Sequence, residues 1–411
     1  MTKLPGPEAP KAPPAGAPPL PPANRSRTAH GLTRAAAEGR FALQRCPACA
    51  RFTYPPRDAC PKCLCPALEF VDAPEGGLLV SSTTIHASVD PYFREHLPWR
   101  QGLVTADCGP PIIVHLHRDC VEGERVRLSL QLDKAGQPVV FARPATETPN
   151  MQDDPAWQEM IADPRSRRIL ITNGRHPAAP ALARALLQAG AASVHVGLSD
   201  PDEAFDGGAL LRATDNVTPV ALDLTDARSV AALAAAIGAE VDILINTADH
   251  VRPVHLFERD APRCLMETMD ATVAATAHLA QAFGPAMMAR GAAGPNSAVA
   301  WVNILSAYAL GAHPEFGPVS VAHAACLSLS HWLRAELRPG GIRVLNAFTG
   351  PVEGEWYQRV PPPKTSPSQL SRAVVDGLRR GLEDIYIGDI ARDIQARLAA
   401  NPKALERENG Q

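Results

Sequence analysis

Hydrophobic patterning divides the chain into three stretches. Residues 1–24 have no apolar periodicity, because proline repeatedly interrupts alanine and glycine, and this composition cannot bury enough apolar surface to offset the entropy of ordering. Between residues 67 and 145, short runs rich in Val, Ile, Leu and Thr alternate with Gly, Pro and Asp turns, which predicts about five strands of a small closed barrel. From Arg168 onward, apolar strands alternate with amphipathic helices, which predicts a doubly wound parallel sheet.

The composition supports two folded units and argues against nucleic acid or a membrane as the partner. The chain has 411 residues, of which 45% are hydrophobic, enough to build two cores. A net charge of −3 and a pI near 6.5 argue against a general polyanion binder. No apolar run has the length that spans a bilayer, and the N-terminus lacks an apolar signal core. We therefore expect a cytoplasmic protein without membrane association.

Four of the nine cysteines have the spacing of a zinc ribbon. Cys46, Cys49, Cys60 and Cys63 form C-x2-C-x10-C-x2-C, with a proline inside each knuckle. Two tight turns that bring four thiolates together make a closed tetrahedral zinc site, which stabilises a segment too small to have its own core. Because no position stays open for water or substrate, we predict a structural zinc in a reducing compartment. The alternative is four unliganded thiols at this spacing.

These patterns predict a two-domain fold, in which a zinc ribbon plus an OB-type β-barrel is followed by an α/β doubly wound, Rossmann-like parallel sheet. We assign a proline-rich disordered tail at 1–24, basic helices at 25–45, the zinc ribbon at 46–66, the OB-fold at 67–145, a polar linker at 146–167, the doubly wound domain at 168–355 and an extension of two amphipathic helices at 356–411.

The N-terminal half resembles a known family in the order of its motifs. Basic helices precede the ribbon sequence FTYPPRDACPKC, and GLLVSSTTIH, LPWRQGLVTADCGPPIIVHL and a final VVFARPA follow it. Across residues 25–145, this order resembles the acyl-CoA-associated zinc-ribbon/OB-fold family, whose members accompany thiolases and related Claisen-type enzymes. The resemblance implies a companion subunit that shapes the acyl-CoA entrance of a partner enzyme, with acyl-CoA at the shared interface.

The ribbon region has an excess of positive charge. Between Arg25 and Lys62, eight Lys/Arg residues stand against Glu38 and Asp58. A nucleic-acid surface would need interleaved aromatic residues for base stacking, and these are sparse, so we predict no nucleic-acid partner. The arginines either form a solvated helix face or contact CoA phosphates or an acidic face of the partner.

The second half contains the sequence VNILSAYALGAHPEFGPVSVAH at residues 302–323, which resembles the catalytic stretch of the short-chain dehydrogenase/reductase family. In that family a serine ends a strand, a tyrosine follows thirteen positions later, and a lysine lies four beyond it. Ser306 matches the serine, but Val319 stands at the tyrosine and His323 at the lysine. Thr272 aligns with the family's fourth catalytic residue, an asparagine. The resemblance therefore implies a degenerate dehydrogenase domain that lacks its proton donor.

The phosphate-binding loop departs from the family as well. The family's T-G-x-x-x-G-x-G glycines let the backbone approach a pyrophosphate at a helix N-terminus. This chain has Asn173, Pro177 and Ala179 at those glycines, and a proline has no N–H to offer a phosphate. It keeps Asp223, which in the family touches the adenine, and Asn246. We expect no binding of NAD or NADP.

A new nucleophile and base are the alternative chemistry for this pocket. Ser306 and His323 would both line it, but the sequence shows no carboxylate to orient the histidine and no oxyanion loop. Asp249 stands where glycine is usual and would place a negative charge near the nicotinamide end. We favour a polar remnant that fills the vacated pocket.

We therefore predict a non-catalytic, zinc-binding companion subunit of an acyl-CoA-processing complex. Its partner would be a thiolase-like enzyme, in a hetero-oligomer that self-associates through the second domain. One alternative is a NAD(P)-dependent short-chain dehydrogenase that acts on a hydroxyacyl-CoA. Another is an inactive subunit paired with an active dehydrogenase paralogue. Structural zinc is the only cofactor expected.

Overall fold

A closed barrel and a parallel sheet form the two halves of the structure. The computed structural model describes residues 20–22, 27–291 and 297–408. The disordered tail predicted at 1–24 therefore lies outside the described residues, apart from 20–22. Within the described part of the chain, no helix is long and apolar enough to cross a membrane.

The N-terminal half contains α1 (His30–Ala37), β1 (Ala42–Arg45), β2 (Phe52–Thr53), β3 (Glu69–Asp72), β4 (Gly76–Ile85), α2 (Pro91–Glu95), β5 (Trp99–Ala106), β6 (Pro111–Leu116), β7 (Arg125–Leu132), β8 (Pro138–Pro144) and α3 (Pro155–Gln158). Strands β1 to β3 form a sheet in the order β2-β1-β3, and the other five close a barrel in the order β4-β5-β6-β8-β7. In β6, Ile112, Val114 and Leu116 are buried while Ile113 is exposed, so the alternation places one face inside the barrel. The predicted ribbon and small barrel are confirmed.

The segment predicted as basic helices at 25–45 contains one α-helix and then a β-strand. Helix α1 stops before Gly39, where a φ of 70° suits glycine. The chain then enters β1, in which Ala42 and Leu43 are buried and pair with β3. A strand of four residues is too short for its alternation to be distinguished from a helical pattern by sequence.

The C-terminal half contains β9 (Arg168–Ile171), α4 (Ala179–Gln188), β10 (Ser193–Leu198), α5 (Gly208–Ala213), β11 (Val217–Ala221), α6 (Ala227–Ile237), β12 (Ile243–Asn246), α7 (Ala261–Met269), α8 (Ala275–Met288), β13 (Ala300–Ser306), α9 (Gly317–Leu337), β14 (Arg343–Thr349), α10 (Pro367–Arg380), β15 (Asp384–Ile387), α11 (Gly388–Ala400) and α12 (Pro402–Glu408). The seven strands pair in parallel in the order β11-β10-β9-β12-β13-β14-β15. The central strands β12 and β13 are buried along their whole length, as expected for a sheet covered on both faces. The predicted doubly wound fold is confirmed.

The extension predicted as two helices at 356–411 also contains a strand. Strand β15 pairs with β14 and forms one edge of the sheet. Helix α10 packs its buried residues Leu370, Val374 and Leu378 into the same core as α4. The segment is thus an integral part of the second domain, and its four-residue strand was too short to recognise beside the helical pattern.

The second part of the linker predicted at 146–167 is buried between the two halves, whereas residues 146–153 are mostly exposed. Trp157, Met160 and Ile161 pack with Trp99 and Phe141 of the barrel. On the other side, the N–H of Ala162 donates to the carbonyl of Leu378 at 2.9 Å. Residues 157–164 therefore form part of the interface between the two halves, whereas the first part of the linker is exposed as predicted for a polar spacer.

Candidate functional site

The four cysteines predicted as zinc ligands converge on one point. The Sγ atoms of Cys46, Cys49, Cys60 and Cys63 all lie within 4.8 Å of one another, with Cys46 and Cys63 3.5 Å apart and Cys49 and Cys60 3.6 Å apart. Four thiolates at about 2.3 Å from a tetrahedral zinc would have this separation, so the donor set fits the metal. Backbone N–H groups of Cys63 and Lys62 lower the pKa of the Cys60 thiol to about 6, which favours the thiolate that binds metal.

The two knuckles that carry these thiols have the same backbone geometry. The N–H of Ala50 donates to the Cys46 carbonyl at 2.8 Å, and the N–H of Leu64 donates to the Cys60 carbonyl at 2.9 Å. Ala50 and Leu64 both adopt a positive φ, 58° and 59°. Each turn therefore folds its pair of cysteines toward the common centre.

In the second domain, the candidate residues lie at the carboxyl ends of the parallel strands, where ligands bind in doubly wound folds. Ser306 ends β13, and His323 lies on α9 directly beside it. The backbone N–H of Ser306 donates to His323 Nδ1 at 3.0 Å, and His323 Nε2 lies 3.0 Å from Asp249 Oδ1. Because Nδ1 accepts a hydrogen bond, Nε2 carries the ring hydrogen and donates a hydrogen bond to the carboxylate.

Asp249 is the carboxylate that the sequence did not reveal. The expectation that no carboxylate orients His323 was wrong, and the glycine-to-aspartate change at this strand end was the available signal. The arrangement is nevertheless not a nucleophile with its base, because His323 accepts from the backbone of Ser306 and not from its hydroxyl. Ser306 Oγ instead accepts from the N–H of Tyr308 at 3.2 Å.

The position aligned with the family's tyrosine is filled by an apolar side chain. Val319 is completely buried. It belongs to a cluster with Phe316, Tyr308 and Tyr357, whose rings pack on one another: Tyr308 on Phe316 at 5.8 Å and Phe316 on Tyr357 at 5.5 Å. Burial raises the pKa of Tyr357 well above its ordinary value and that of Tyr308 to about 12. Neither phenol is activated for proton transfer at neutral pH.

Thr272 and Asn246 satisfy their hydrogen bonds within the domain. Thr272 lies in a π-helical turn between α7 and α8 and donates to the Thr268 carbonyl at 2.6 Å. Asn246 donates to Thr276 Oγ1 at 2.9 Å and to Asn303 Oδ1 at 3.3 Å. The hydrogen bonds of Asn246 therefore connect the end of β12 to α8 and to β13.

The loop after β9 is closed by contacts within the chain. The N–H of Asn173 donates to Thr247 Oγ1 at 2.9 Å, and Ala179 is completely buried at the start of α4. Gly354, in the loop after β14, lies directly against Pro177: a Cβ at Gly354 would be 2.7 Å from Pro177 Cβ. The proline ring and the facing loop thus occupy the space above the turn, and sequence alone gave no sign of this contact.

Asp223 is also engaged locally. Its Oδ1 accepts from both the N–H and the hydroxyl of Thr225, at 2.9 and 2.7 Å. The hydroxyl and backbone of Thr225 lower the pKa of this carboxyl. The carboxylate therefore stabilises the turn that leads into α6.

The buried carboxylate of Asp249 and a second histidine, His176, complete the electrostatics of the strand ends. Burial opposes ionisation of Asp249, but its electrostatic interaction and hydrogen bond with His323 outweigh burial and leave the Asp249 pKa below the ordinary value. Burial lowers the pKa of His176 to about 4, an effect that Asp249 partly offsets. His176 is therefore neutral at pH 7, and its Nδ1 accepts from the N–H of Ala178 at 3.1 Å.

Comparisons with known proteins agree with this architecture. Residues 167–364 match the short chain dehydrogenase family model, and residues 33–69 match that of the ChsH2, rubredoxin-like zinc ribbon domain. The crystal structure of a short chain dehydrogenase from Burkholderia cenocepacia in complex with NADP is 29% identical, with a TM-score of 0.54, and the match covers 60% of this chain and 98% of that one. A short-chain dehydrogenase from Streptomyces avermitilis is 23% identical, with a TM-score of 0.49, and the match covers 58% of this chain and 97% of that one. No match was found among curated proteins.

The chain therefore contains a short-chain dehydrogenase domain and a ChsH2-type zinc ribbon, as the sequence predicted. The four clustered cysteines of this ribbon have the donor set and separation that fit a structural zinc ion. Within the part of the chain that the structure describes, no other group of three or more His, Cys, Asp and Glu side chains could hold a metal ion.

Proposed function

We propose that this chain is a non-catalytic, zinc-binding companion subunit of an acyl-CoA-processing, thiolase-like enzyme. The observation that carries the proposal is Val319, a buried valine in the position where dehydrogenases of this family hold their tyrosine. A valine cannot exchange the proton that accompanies hydride transfer, and loss of positioned acid–base catalysis costs about 10²–10⁴-fold in rate. Tyr308 and Tyr357 have raised pKa values and pack as core residues, so neither replaces it.

The neighbouring polar groups support the same conclusion. His323 stands where the family has lysine, and both its ring nitrogens are engaged, one with the Ser306 N–H and one with Asp249. A ribose hydroxyl would have to displace one of these hydrogen bonds. The pair stabilises the folded domain instead of activating a phenol.

We propose that the domain binds neither NAD nor NADP. Pro177 offers no N–H where a pyrophosphate would accept one, and Gly354 contacts the proline ring closely. A cofactor would have to move the loop after β14 before it reached the start of α4. The NADP in the Burkholderia cenocepacia structure belongs to that protein.

The barrel presents a surface suited to a partner. Val80, Leu103 and Ile113 are exposed on neighbouring strands, and Leu103 is the direct cross-strand partner of Ile113, which is 68% exposed. We call these three residues the barrel row. A cavity of about 700 Å³ that Leu103 and Ile113 share with Trp99 and Phe93 continues the apolar surface. An exposed apolar surface that continues into an apolar cavity is typical of a site that a partner covers.

In this proposal, a thiolase-like enzyme covers the barrel row, and acyl-CoA lies at the shared interface. The dehydrogenase domain serves self-association, which gives a hetero-oligomer with several copies of each chain. The second candidate is a NAD(P)-dependent dehydrogenase for a hydroxyacyl-CoA, which the match to the family model and to an NADP-bound relative favours.

Cofactor titration separates the two candidates. We expect calorimetry with NAD, NADH, NADP and NADPH to give no binding at physiological concentrations, and Ser306→Ala to leave turnover of the complex unchanged. Micromolar affinity for any of these cofactors, or loss of turnover in Ser306→Ala, would support the dehydrogenase.

Co-expression tests the companion role. We expect the cognate thiolase-like enzyme to lose much of its activity or solubility without this chain, and deletion of residues 25–145 to abolish association. Ile113→Asp is the sharper variant, because it charges the barrel row at an exposed position without disturbing the core. Leu256→Asp, at a 79% exposed position of the dehydrogenase domain, is its matched control. A thiolase-like enzyme that is fully active alone, or equal association of the two variants, would contradict the proposal.

A further inference from the structure

A cavity of about 520 Å³ lies between the barrel and the dehydrogenase domain. Its walls come from β7 and β8 of the barrel, the buried linker, and the end of α10. The charged residues that line it are Arg40, Arg127, Arg143, Arg379 and Arg380, against Glu75 and Asp376. Carboxylates outside the lining pair with two of these arginines: Glu38 and Asp72 with Arg40, and Asp163 with Arg379.

One of these arginines has no carboxylate of its own. Arg127 pairs with Glu75 at 2.7 Å, and Arg380 pairs with Asp376 at 3.2 Å. Arg143 is half-buried, and no carboxylate of the described residues lies within ion-pair distance of it. Burial and, after it, the charge of Arg127 lower the pKa of Arg143. A bound anion would offset both effects, because an opposite charge nearby favours the charged guanidinium.

A second, independent observation concerns Trp157. The guanidinium of Arg143 stacks over its ring at 4.3 Å, which leaves the edge of the indole for other contacts. Trp157 is only 3% exposed, yet its Nε1–H has no acceptor among the described residues. Buried indole N–H groups usually find a hydrogen-bond partner, so this donor points to an acceptor that the chain itself does not supply.

We propose that this cavity is a binding site for a phosphorylated small molecule. The two groups of the lining that carry the proposal, the Arg143 guanidinium and the Trp157 N–H, are both donors and so favour a ligand rich in acceptors. The guanidinium fork of Arg143 suits phosphate oxygens, which accept paired N–H bonds. The ligand touches both domains and so fixes their relative position. The proposal is independent of the companion role and of the zinc site.

The test uses the intact protein with two probes, inorganic pyrophosphate and ADP. Calorimetry and tryptophan fluorescence should report saturable binding, weakened by added salt because the contacts are ionic. Arg143→Gln should reduce the affinity at least about tenfold, and Arg143→Lys should restore part of it, since lysine keeps the charge but not the fork. Trp157→Phe keeps the ring and removes only the N–H, so it should weaken binding by a smaller factor.

Arg228→Gln is the matched control, because the Arg228 side chain is 95% exposed on α6. It should leave affinity unchanged. Binding of ADP more tightly than pyrophosphate would identify a nucleotide as the ligand, and equal binding would identify the phosphates alone as the recognised group. The proposal is overturned if neither probe binds at millimolar concentration, or if Arg143→Gln and Trp157→Phe, shown to be folded by circular dichroism, bind like the intact protein.

Discussion

His323 donates a hydrogen bond from Nε2 to the carboxylate of Asp249, 3.0 Å away, and both side chains are largely buried at the end of the parallel sheet. The pair joins the loop after β12 to α9. In the short-chain dehydrogenase pattern that this stretch resembles, a lysine stands at the position of His323. Here the group that faces it is a carboxylate, and the interaction stabilises the fold.

Removal of one member of this pair tests its structural role. His323→Ala leaves Asp249 charged, buried and unpaired, so we expect the free energy of unfolding to fall by about 3 kcal/mol. Asp249→Asn is the matched variant: the amide oxygen still accepts from Nε2, and the expected loss is about 1 kcal/mol. Urea denaturation measures both. Equal losses in the two variants would show that the buried charge is not the cause.

The contact of Gly354 with Pro177 leads to a second prediction. A methyl group at Gly354 would lie 2.7 Å from Pro177 Cβ, and the Gly354 φ of 157° is one that L side chains rarely adopt, so Gly354→Ala should destabilise the protein by about 2 kcal/mol through both effects. Gly317→Ala is the control, because nothing lies within 4 Å of a Cβ built there.

The double variant Gly354→Ala/Pro177→Gly locates the cause of that loss. We expect it to recover more than about 1 kcal/mol relative to the sum of the single changes, as residues in contact do. Additive effects in thermal or urea unfolding would mean that the two loops do not close over the start of α4.

Features set by neighbouring residues could be predicted from the sequence. The knuckle turns lie within each C-x2-C unit, and the alternation in β6 is visible in PIIVHL. The frame from Ser306 to His323 was also accessible, because the strand that ends at Ser306 and the helix that carries His323 follow the order of the family without an insertion. The N–H of Ser306 meets His323 as that frame requires.

Features that depend on distant segments could not be predicted. Asp249 and His323 are 74 residues apart, and although the aspartate at position 249 was visible as a departure from the family's glycine, nothing in the sequence showed that it pairs with His323. Pro177 meets Gly354 only because the sheet brings the ends of β9 and β14 to one edge. The arginine-lined cavity combines residues from the barrel, the linker and α10, so no local motif could reveal it.

The zinc site gives a third prediction. Purified protein should contain one zinc per chain by elemental analysis under reducing conditions, and Cys46→Ser should lose it together with the fold of the ribbon. Cys65→Ser is the matched control, because this thiol lies outside the cluster of four. It should retain the metal. Protein without zinc, or zinc retained in Cys46→Ser, would contradict the four-cysteine site.

His176 predicts a loss of stability in mild acid. Its pKa is about 4 in the folded protein, below the ordinary value of 6.5, so the unfolded chain binds the proton more readily between these values. The stabilisation is complete above pH 6.5 and is lost as the pH falls toward 4, with a loss of about 2 kcal/mol between pH 7 and pH 5. His176→Asn should lack this part of the pH dependence in urea denaturation, whereas His331→Gln, at an exposed position of α9, should retain it. Identical profiles for all three proteins would refute the assignment.

The exposed face of α9 predicts self-association of the dehydrogenase domain. Trp332 is 65% exposed and Val321 is 52% exposed. These residues are eleven positions apart in one helix, about three turns, so they lie on the same face. An exposed tryptophan beside an exposed valine on one helix face is a strong candidate for the centre of an interface.

We expect sedimentation velocity to show at least a dimer, and Trp332→Glu to yield monomers with an unchanged free energy of unfolding per chain. Val89→Glu, at a 98% exposed position of the barrel half, should leave the assembly intact. A protein that is monomeric at micromolar concentration, or a Trp332→Glu variant that still associates, would exclude this face and require the copies to meet elsewhere.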